Sequence, residues 1–162
     1  MFDDIIQSAK EGIIEKQKDD EFFHVRIAAI GVGGAGCNTI NRMMSEGIKS
    51  ARTIAINTDG KHLNMISADK KILIGKTITR GLGAGGDIEI ARKCAEADRA
   101  LLKREIGENE LVFLCAGMGG GTGGGAAPIV AEIAKENGAI VVAMVTYPSV
   151  SYTHLRAHET PE

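Results

Sequence analysis

The chain has 162 residues, 19 basic against 21 acidic side chains and a formal charge of −2; it is sized for one domain with a substantial core and lacks the charge excess of a nucleic-acid or membrane-surface binder. No apolar stretch is long enough to cross a bilayer, and Met1-Phe2-Asp3-Asp4 has the wrong charge for a secretory leader, which points to the cytoplasm. Three cysteines, an odd number, fit a reducing compartment and not a disulfide framework.

Met1 to Lys18 reads as an amphipathic helix, with Phe2, Ile5, Ile6, Ala9, Ile13 and Ile14 on one side, followed by a charged link from Lys16 to Glu21. These residues, 1–24, form a first segment ahead of a nucleotide-binding domain over 25–148. Val25 to Ile30 is predicted as the first strand, with Gly31 to Asn38 after it and a helix to Gly47. Thr53 to Ile56 is the second strand; Asn57-Thr58-Asp59-Gly60 leads from it into a short helix holding Leu63 and Ile66. Lys71 to Ile74 is a brief third strand. The glycine-rich stretch Arg80 to Asp87 then opens a long helix carrying Ile90, Ala91, Cys94, Ala97, Leu101 and Leu102, capped by Asp87 and ended by Gly107.

Leu111 to Ala116 is a continuous apolar run of strand length, as expected of a strand buried on both faces. It stops at Gly117 to Gly125, where seven of nine residues are glycine. A helix is predicted from Gly125, with Pro128 in its first turn and Gly138 as its stop, and then Ala139 to Thr146 as another buried strand. Residues 149–162 have no helical or strand period and read as a disordered or foreign tail. Strand and helix alternate throughout, so the fold class is α/β, a Rossmann-like, mainly parallel sheet with helices on both faces. In such a sheet the loops after the strands' carboxyl ends gather on one edge, where ligands bind.

Glycine inside regular structure costs roughly 0.5–1 kcal/mol relative to alanine, so a run of seven needs a reason. Without Cβ atoms the backbone can bring successive N–H groups to an anion, and the helix amino end adds partial positive charge. Each charge-assisted bond is worth about 1.5–3 kcal/mol, enough for several to hold a di- or triphosphate without a lysine. Thr122 is the only residue between Gly117 and Gly125 with a polar side chain, and its hydroxyl is the natural extra ligand for a terminal phosphate. A flexible glycine linker is the blander reading, and linkers do not sit between a buried strand and a helix.

Gly31-Val-Gly-Gly-Ala-Gly36 also matches the G-x-G-x-x-G dinucleotide fingerprint, which alone is weak and supports an NAD(P)-dependent oxidoreductase as the alternative. Asp59 is then only a loose candidate for the ribose acid, and the Gly117 to Gly125 loop goes unexplained. An interaction module without nucleotide is a third reading. The P-loop pattern fails, because Lys70 stands where the glycine leading to Gly75-Lys76-Thr77 should be. Cys37 begins a helix, where a thiolate is favoured, but no histidine is near it in sequence, and a small residue lining the loop is the simpler role.

GVGGAGCN, AINTDGKHL, TRGLGAGGD and AGMGGGTGGGAAP, in that order, resemble the nucleotide-binding half of the FtsZ family, the tubulin-like GTPases of bacterial and archaeal cell division. The resemblance runs from about Val25 to Pro148 and implies GTP/GDP as ligand, with Mg²⁺ held through the phosphates and no protein metal site. It places Gly33, Gly34, Ala35, Gly36 and Asn38 at the phosphates, with Cys37 among them, and Asn57 and Asp59 near the phosphates and ion. Ala84, Gly85 and Gly86 would close over the γ-phosphate, and Met118, Gly119, Gly120, Gly121, Thr122 and Gly123 form the signature loop. The implied partners are further copies of the chain, head to tail, and other cell-division proteins, with no nucleic acid and no direct membrane insertion.

Two departures qualify the resemblance. Gly124 stands where the family's signature has a second threonine, and past Pro148 the family's Phe and ribose-binding Glu are replaced by Ser149 and Tyr152, with Arg156 matching the family's Arg by chance. The guanine-contacting residues, the central helix, the catalytic acids and the second domain of the family find no counterpart in these 162 residues, so no catalytic residue is assigned. The expectation is nucleotide binding with negligible hydrolysis by this chain alone, and capping of filaments formed by a full-length homologue.

Overall fold

A computed structural model of the chain describes residues 2–6 and 25–148. Residues 2–6 are helical, with Phe2, Ile5 and Ile6 exposed. The rest of the expected amino-terminal helix, the charged link and residues 149–162 lie outside the described residues.

Five strands, β1 (Ile27–Val32), β2 (Arg52–Asn57), β3 (Lys70–Leu73), β4 (Leu111–Gly117) and β5 (Ile140–Thr146), form one sheet in the order β3-β2-β1-β4-β5, and every pairing is parallel. The helices are α1 (Gly33–Ser45), α2 (Gly60–Met65), α3 (Lys76–Thr79), α4 (Ile88–Ala97), α5 (Arg99–Ile106) and α6 (Gly121–Glu136). The fold is therefore the expected α/β arrangement with a parallel central sheet. Period-two alternation divides the core. Ala28, Ile30, Val32, Ile54, Ile56, Val112, Leu114 and Ala116 join one cluster with residues of α4, α5 and α6, while Ala55 turns to the other face with Cys37, Leu63 and Ile66.

On that second face α1 lies unusually close to the sheet, because the residues beneath it have no side chains to hold it off. A Cβ on Gly31 would overlap the Gly36 carbonyl, and one on Gly36 would overlap the Cys115 carbonyl. A Cβ on Gly117 would come within 2.7 Å of the Ala35 methyl. Glycines at these three positions thus let one helix seat across β1 and β4 together.

Three expectations are corrected. The long helix after Asp87 is broken at Asp98, whose backbone leaves helical geometry (φ −104, ψ 21). There the Asp98 carboxylate accepts from the Gly75 amide at 2.6 Å, and Gly75 itself, at φ 66, packs so tightly on Cys94 that a Cβ would overlap the thiol. The helix after β4 starts at Gly121, not Gly125, so Pro128 lies inside it and not in its first turn. Pro128 has no N–H for the Gly124 carbonyl, an interruption the rest of the helix absorbs because its inner face is buried against α4 and the sheet. Finally β5 is not a buried strand. It is an edge with Ile140 70% exposed and Val142, Met144 and Val145 each 42%, since among the described residues only β4 pairs with it. The apolar run was legible, but its neighbours were not.

Candidate functional site

At the carboxyl ends of β1 and β4, adjacent in the sheet, the chain departs to opposite faces, into α1 and α6. This is the switch point at which open parallel sheets bind ligands. A cavity of about 670 Å³ opens there. Four segments line it: Val32 to Ala35 from the end of β1 into the first turn of α1, Asn57 to Asp59 with His62, Leu82 to Gly86, and Gly117 to Gly123 from β4 into the first turn of α6, with Thr146, Tyr147 and Pro148 at its side.

Neither α1 nor α6 has a side-chain cap or an acidic residue in its first turn, whereas α2 and α4 are capped by Asp59 and Asp87. The first N–H groups of α1 and α6 are thus left without the capping carboxylates that α2 and α4 use. Both helices begin at the cavity, and no lysine or arginine lines it among the described residues. Two uncapped helix amino ends converging on one space present backbone dipoles of the sign that suits an anion. Gly33 makes the turn from β1 into α1 at φ 76, a conformation that disfavours side chains, and a Cβ there would lie 2.7 Å from the Gly123 amide. The first loop and the first turn of α6 are therefore in direct contact.

Thr122 is 8% exposed, and its hydroxyl lies 2.8 Å from that of fully buried Thr58. Each hydroxyl has one proton, so when one donates to the other, the second proton remains for a ligand. Thr58 was not singled out from the sequence, where nothing marks it beyond following Asn57. The third loop is tied to the second by Gly83 N to Thr58 O (3.1 Å) and Gly60 N to Gly81 O (3.0 Å). Ala84 is buried, while Gly85 and Gly86 face open space. Among the described residues Asp59 is the only carboxylate lining the cavity, and no group of three metal-ligating side chains occurs.

The structure brings Gly33, Gly34, Ala35, Asn57, Asp59, Ala84, Gly85, Gly86, Met118, Gly119, Gly120, Gly121, Thr122 and Gly123 to the cavity. It does not bring Gly36, Cys37 or Asn38 to the lining. Gly36 packs on β4. The Cys37 side chain is fully buried against Ala55 and Leu63, with its thiol 3.4 Å from the Ile56 carbonyl, and burial pushes that thiol up to about 12. Reading Cys37 as a small residue lining the loop is thus corrected; its side chain points into the core. Asn38 is exposed, with its carbonyl 3.0 Å from His62 Nε2. Leu82, Gly83 and Gly117 also line it, within glycine-rich stretches that the sequence marks, whereas His62, Thr146 and Tyr147 are lining residues that tertiary packing delivers.

The glycines sort by what surrounds them. A Cβ on Gly34 or Gly120 meets nothing within 4 Å, whereas one on Gly125 would overlap the Ile88 carbonyl. Gly124 is intermediate, its nearest neighbour the Ile88 side chain at 3.5 Å, an ordinary contact. Gly124→Ala is therefore expected to stabilise the chain by about 0.5–1 kcal/mol through reduced backbone freedom in the unfolded state. A melting temperature that falls in this variant would show that α6 needs glycine there.

The model of the Tubulin/FtsZ family, GTPase domain, matches residues 26–160. Cell division protein FtsZ 2 of Methanocaldococcus jannaschii is 64% identical over 129 residues, which cover 80% of this chain and 34% of that protein. A solved FtsZ dimer of M. jannaschii, empty, superposes with a TM-score of 0.80 at 48% identity, covering 85% of this chain and 41% of that one. CetZ2 from Haloferax volcanii, solved as a GTPγS-bound protofilament, gives 0.63 at 29% identity over 75% of this chain and 39% of its own. The 162 residues thus span well under half the length of these relatives.

Proposed function

Because the chain belongs to the tubulin/FtsZ family, through its GTPase domain, we propose that the cavity between β1 and β4 binds GTP and GDP by their phosphates. The observation that supports this most strongly is the pair of uncapped helix amino ends, α1 and α6, meeting where no lysine or arginine lines the cavity among the described residues. In this reading Gly33 to Ala35 and Gly119 to Gly123 supply amides to the phosphates, Ala84 to Gly86 close over the last one, and the Thr58–Thr122 pair offers it a proton. Several phosphate charges against dipoles alone call for a counter-ion. With Asp59 the only lining carboxylate among the described residues, Mg²⁺ enters on the triphosphate, where it would neutralise phosphate oxygens. The oxidoreductase alternative rests on Gly31 to Gly36, of which Gly31 and Gly36 are used in seating α1.

These residues on their own are expected to bind nucleotide and hydrolyse it negligibly, because the resemblance assigns the water-orienting acids to a neighbouring subunit's second domain. The GTPγS-bound protofilament of CetZ2 supports a nucleotide associated with a chain of subunits in this family, and head-to-tail contact with further copies is the partner proposed here. The test is titration of the 162-residue chain with labelled GTP, ATP and NADH, with phosphate release followed in parallel. GTP saturation that weakens on chelation of Mg²⁺, with little phosphate released, is the expected result; preference for NADH, or no binding, overturns the proposal.

A further inference from the structure

His62 is a lining residue of the cavity that none of the chemistry above uses, and its hydrogen bonds have only one consistent assignment. Asn57 is 3% exposed, and its Oδ1 accepts from two backbone amides, Thr58 N at 2.8 Å and Asp59 N at 3.3 Å. Those two donors fix which end of the Asn57 amide is oxygen, so its Nδ2 faces His62 Nδ1, at 3.4 Å. The ring nitrogen there must accept. A neutral imidazole then carries its proton on Nε2, which donates to Asn38 Oδ1 at 3.0 Å. The ring is itself held by its own amide, which donates to the Asp59 cap at 3.1 Å. A directed chain thus runs from the second loop, through one imidazole, to the second turn of α1.

The geometry points to His62 as a positioning residue for the nucleotide: by holding Asn38 to Asn57 it joins the first phosphate loop to the second as one unit. This rests on the nucleotide reading of the cavity and adds to it a residue that touches neither reacting atom nor metal. The physical gain is preorganisation. The bonds through the ring fix α1 relative to the second loop, and without them the two cavity-lining segments keep a relative freedom that ligand binding would then have to remove. His62→Ala is expected to weaken GTP binding about tenfold, the scale of one lost hydrogen bond.

Two conservative variants separate this from a merely structural role. Glutamine can place an N–H near the position of Nε2 and so keep the bond to Asn38; asparagine can place an oxygen only near Nδ1 and so keeps the bond to Asn57 alone. His62→Gln should therefore recover most of the affinity and His62→Asn little of it, and in an Asn38→Ala background His62→Ala should have no further effect. The experiment measures GTP affinity of the 162-residue chain and these variants by titration, with melting temperatures to confirm folding, and reads the ring nitrogens of the ligand-free wild type by ¹⁵N NMR. A protonated Nε2 and bare Nδ1, with the Gln, Asn and double-variant pattern above, supports the proposal. A proton on Nδ1, equal recovery by Gln and Asn, or additive losses with Asn38→Ala overturns it. If wild type fails to bind GTP, the nucleotide reading falls and this role falls with it, while the NMR result still reports separately whether the ring joins the two loops.

Discussion

Gly36→Ala is expected to destabilise the fold by about 3 kcal/mol or more, although alanine is the better helix former by up to about 1 kcal/mol. The sign follows from what the added methyl meets. It would overlap the carbonyl oxygen of Cys115, a main-chain atom in a strand paired on both sides, with Gly31 on β1 and Met144 on β5. A side chain can swing away from an intruder, whereas this carbonyl cannot move without carrying two ladders with it. Either α1 lifts off the sheet or β4 bends, and both options expose the Cys37 pocket of the core. Urea unfolding monitored by circular dichroism checks this: a loss below about 1 kcal/mol would mean that α1 is seated far more loosely than the contacts imply.

Two residues earlier the same kind of change should leave the fold intact and abolish the ligand. Gly34 lies in the first turn of α1, exposed and with nothing within 4 Å of a built Cβ. An aspartate there is favourable to an empty helix by about 0.3–1 kcal/mol, because its charge complements the amino end. It also occupies the place proposed for a phosphate. Two like charges roughly 5 Å apart at an effective dielectric near 20 repel by about 3 kcal/mol, so Gly34→Asp should weaken GTP binding at least about 100-fold while the melting temperature holds or rises. Gly34→Asn, equal in size and neutral, serves as the control and should lose much less. Equal losses in the two variants would assign the effect to bulk, and no loss in either would move the phosphates away from this loop.

The contrast between Gly34 and Gly36 shows what the sequence could and could not convey. That glycine clusters follow β1 and β4 into helices, and that these share one edge with the Asn57 to Asp59 turn and the Arg80 to Asp87 stretch, follows from periodicity and turn chemistry, and the structure has them there. Which glycines face the ligand and which face the core is decided by atoms far away in sequence, such as the Cys115 carbonyl. The same limit explains the other departures. The break at Asp98 depends on the Gly75 amide, and the early start of α6 at Gly121 depends on packing against α4 that outweighs the low helix propensity of glycine. Thr58 and His62 became visible only when their partners, Thr122 and the two asparagines, were placed beside them. For β5, hydrophobicity described the strand itself and not its surroundings.

The strand order carries a consequence in time. Among the described strands β1 comes first in the chain, yet it lies in the middle of the sheet, and its partner β4 is far along the chain, with Arg26 and Glu110, 84 residues apart, bonded at the start of that seam. β2 and β3 can pair with β1 early, across short connections, whereas the seam with β4 closes a loop several times longer, each doubling adding about 0.6 kcal/mol of entropy. The half of the cavity made by α1 therefore exists before the half made by α6. A phosphate group that grips both halves has no complete site until that seam has closed, and once bound it opposes the first step of the seam's reopening.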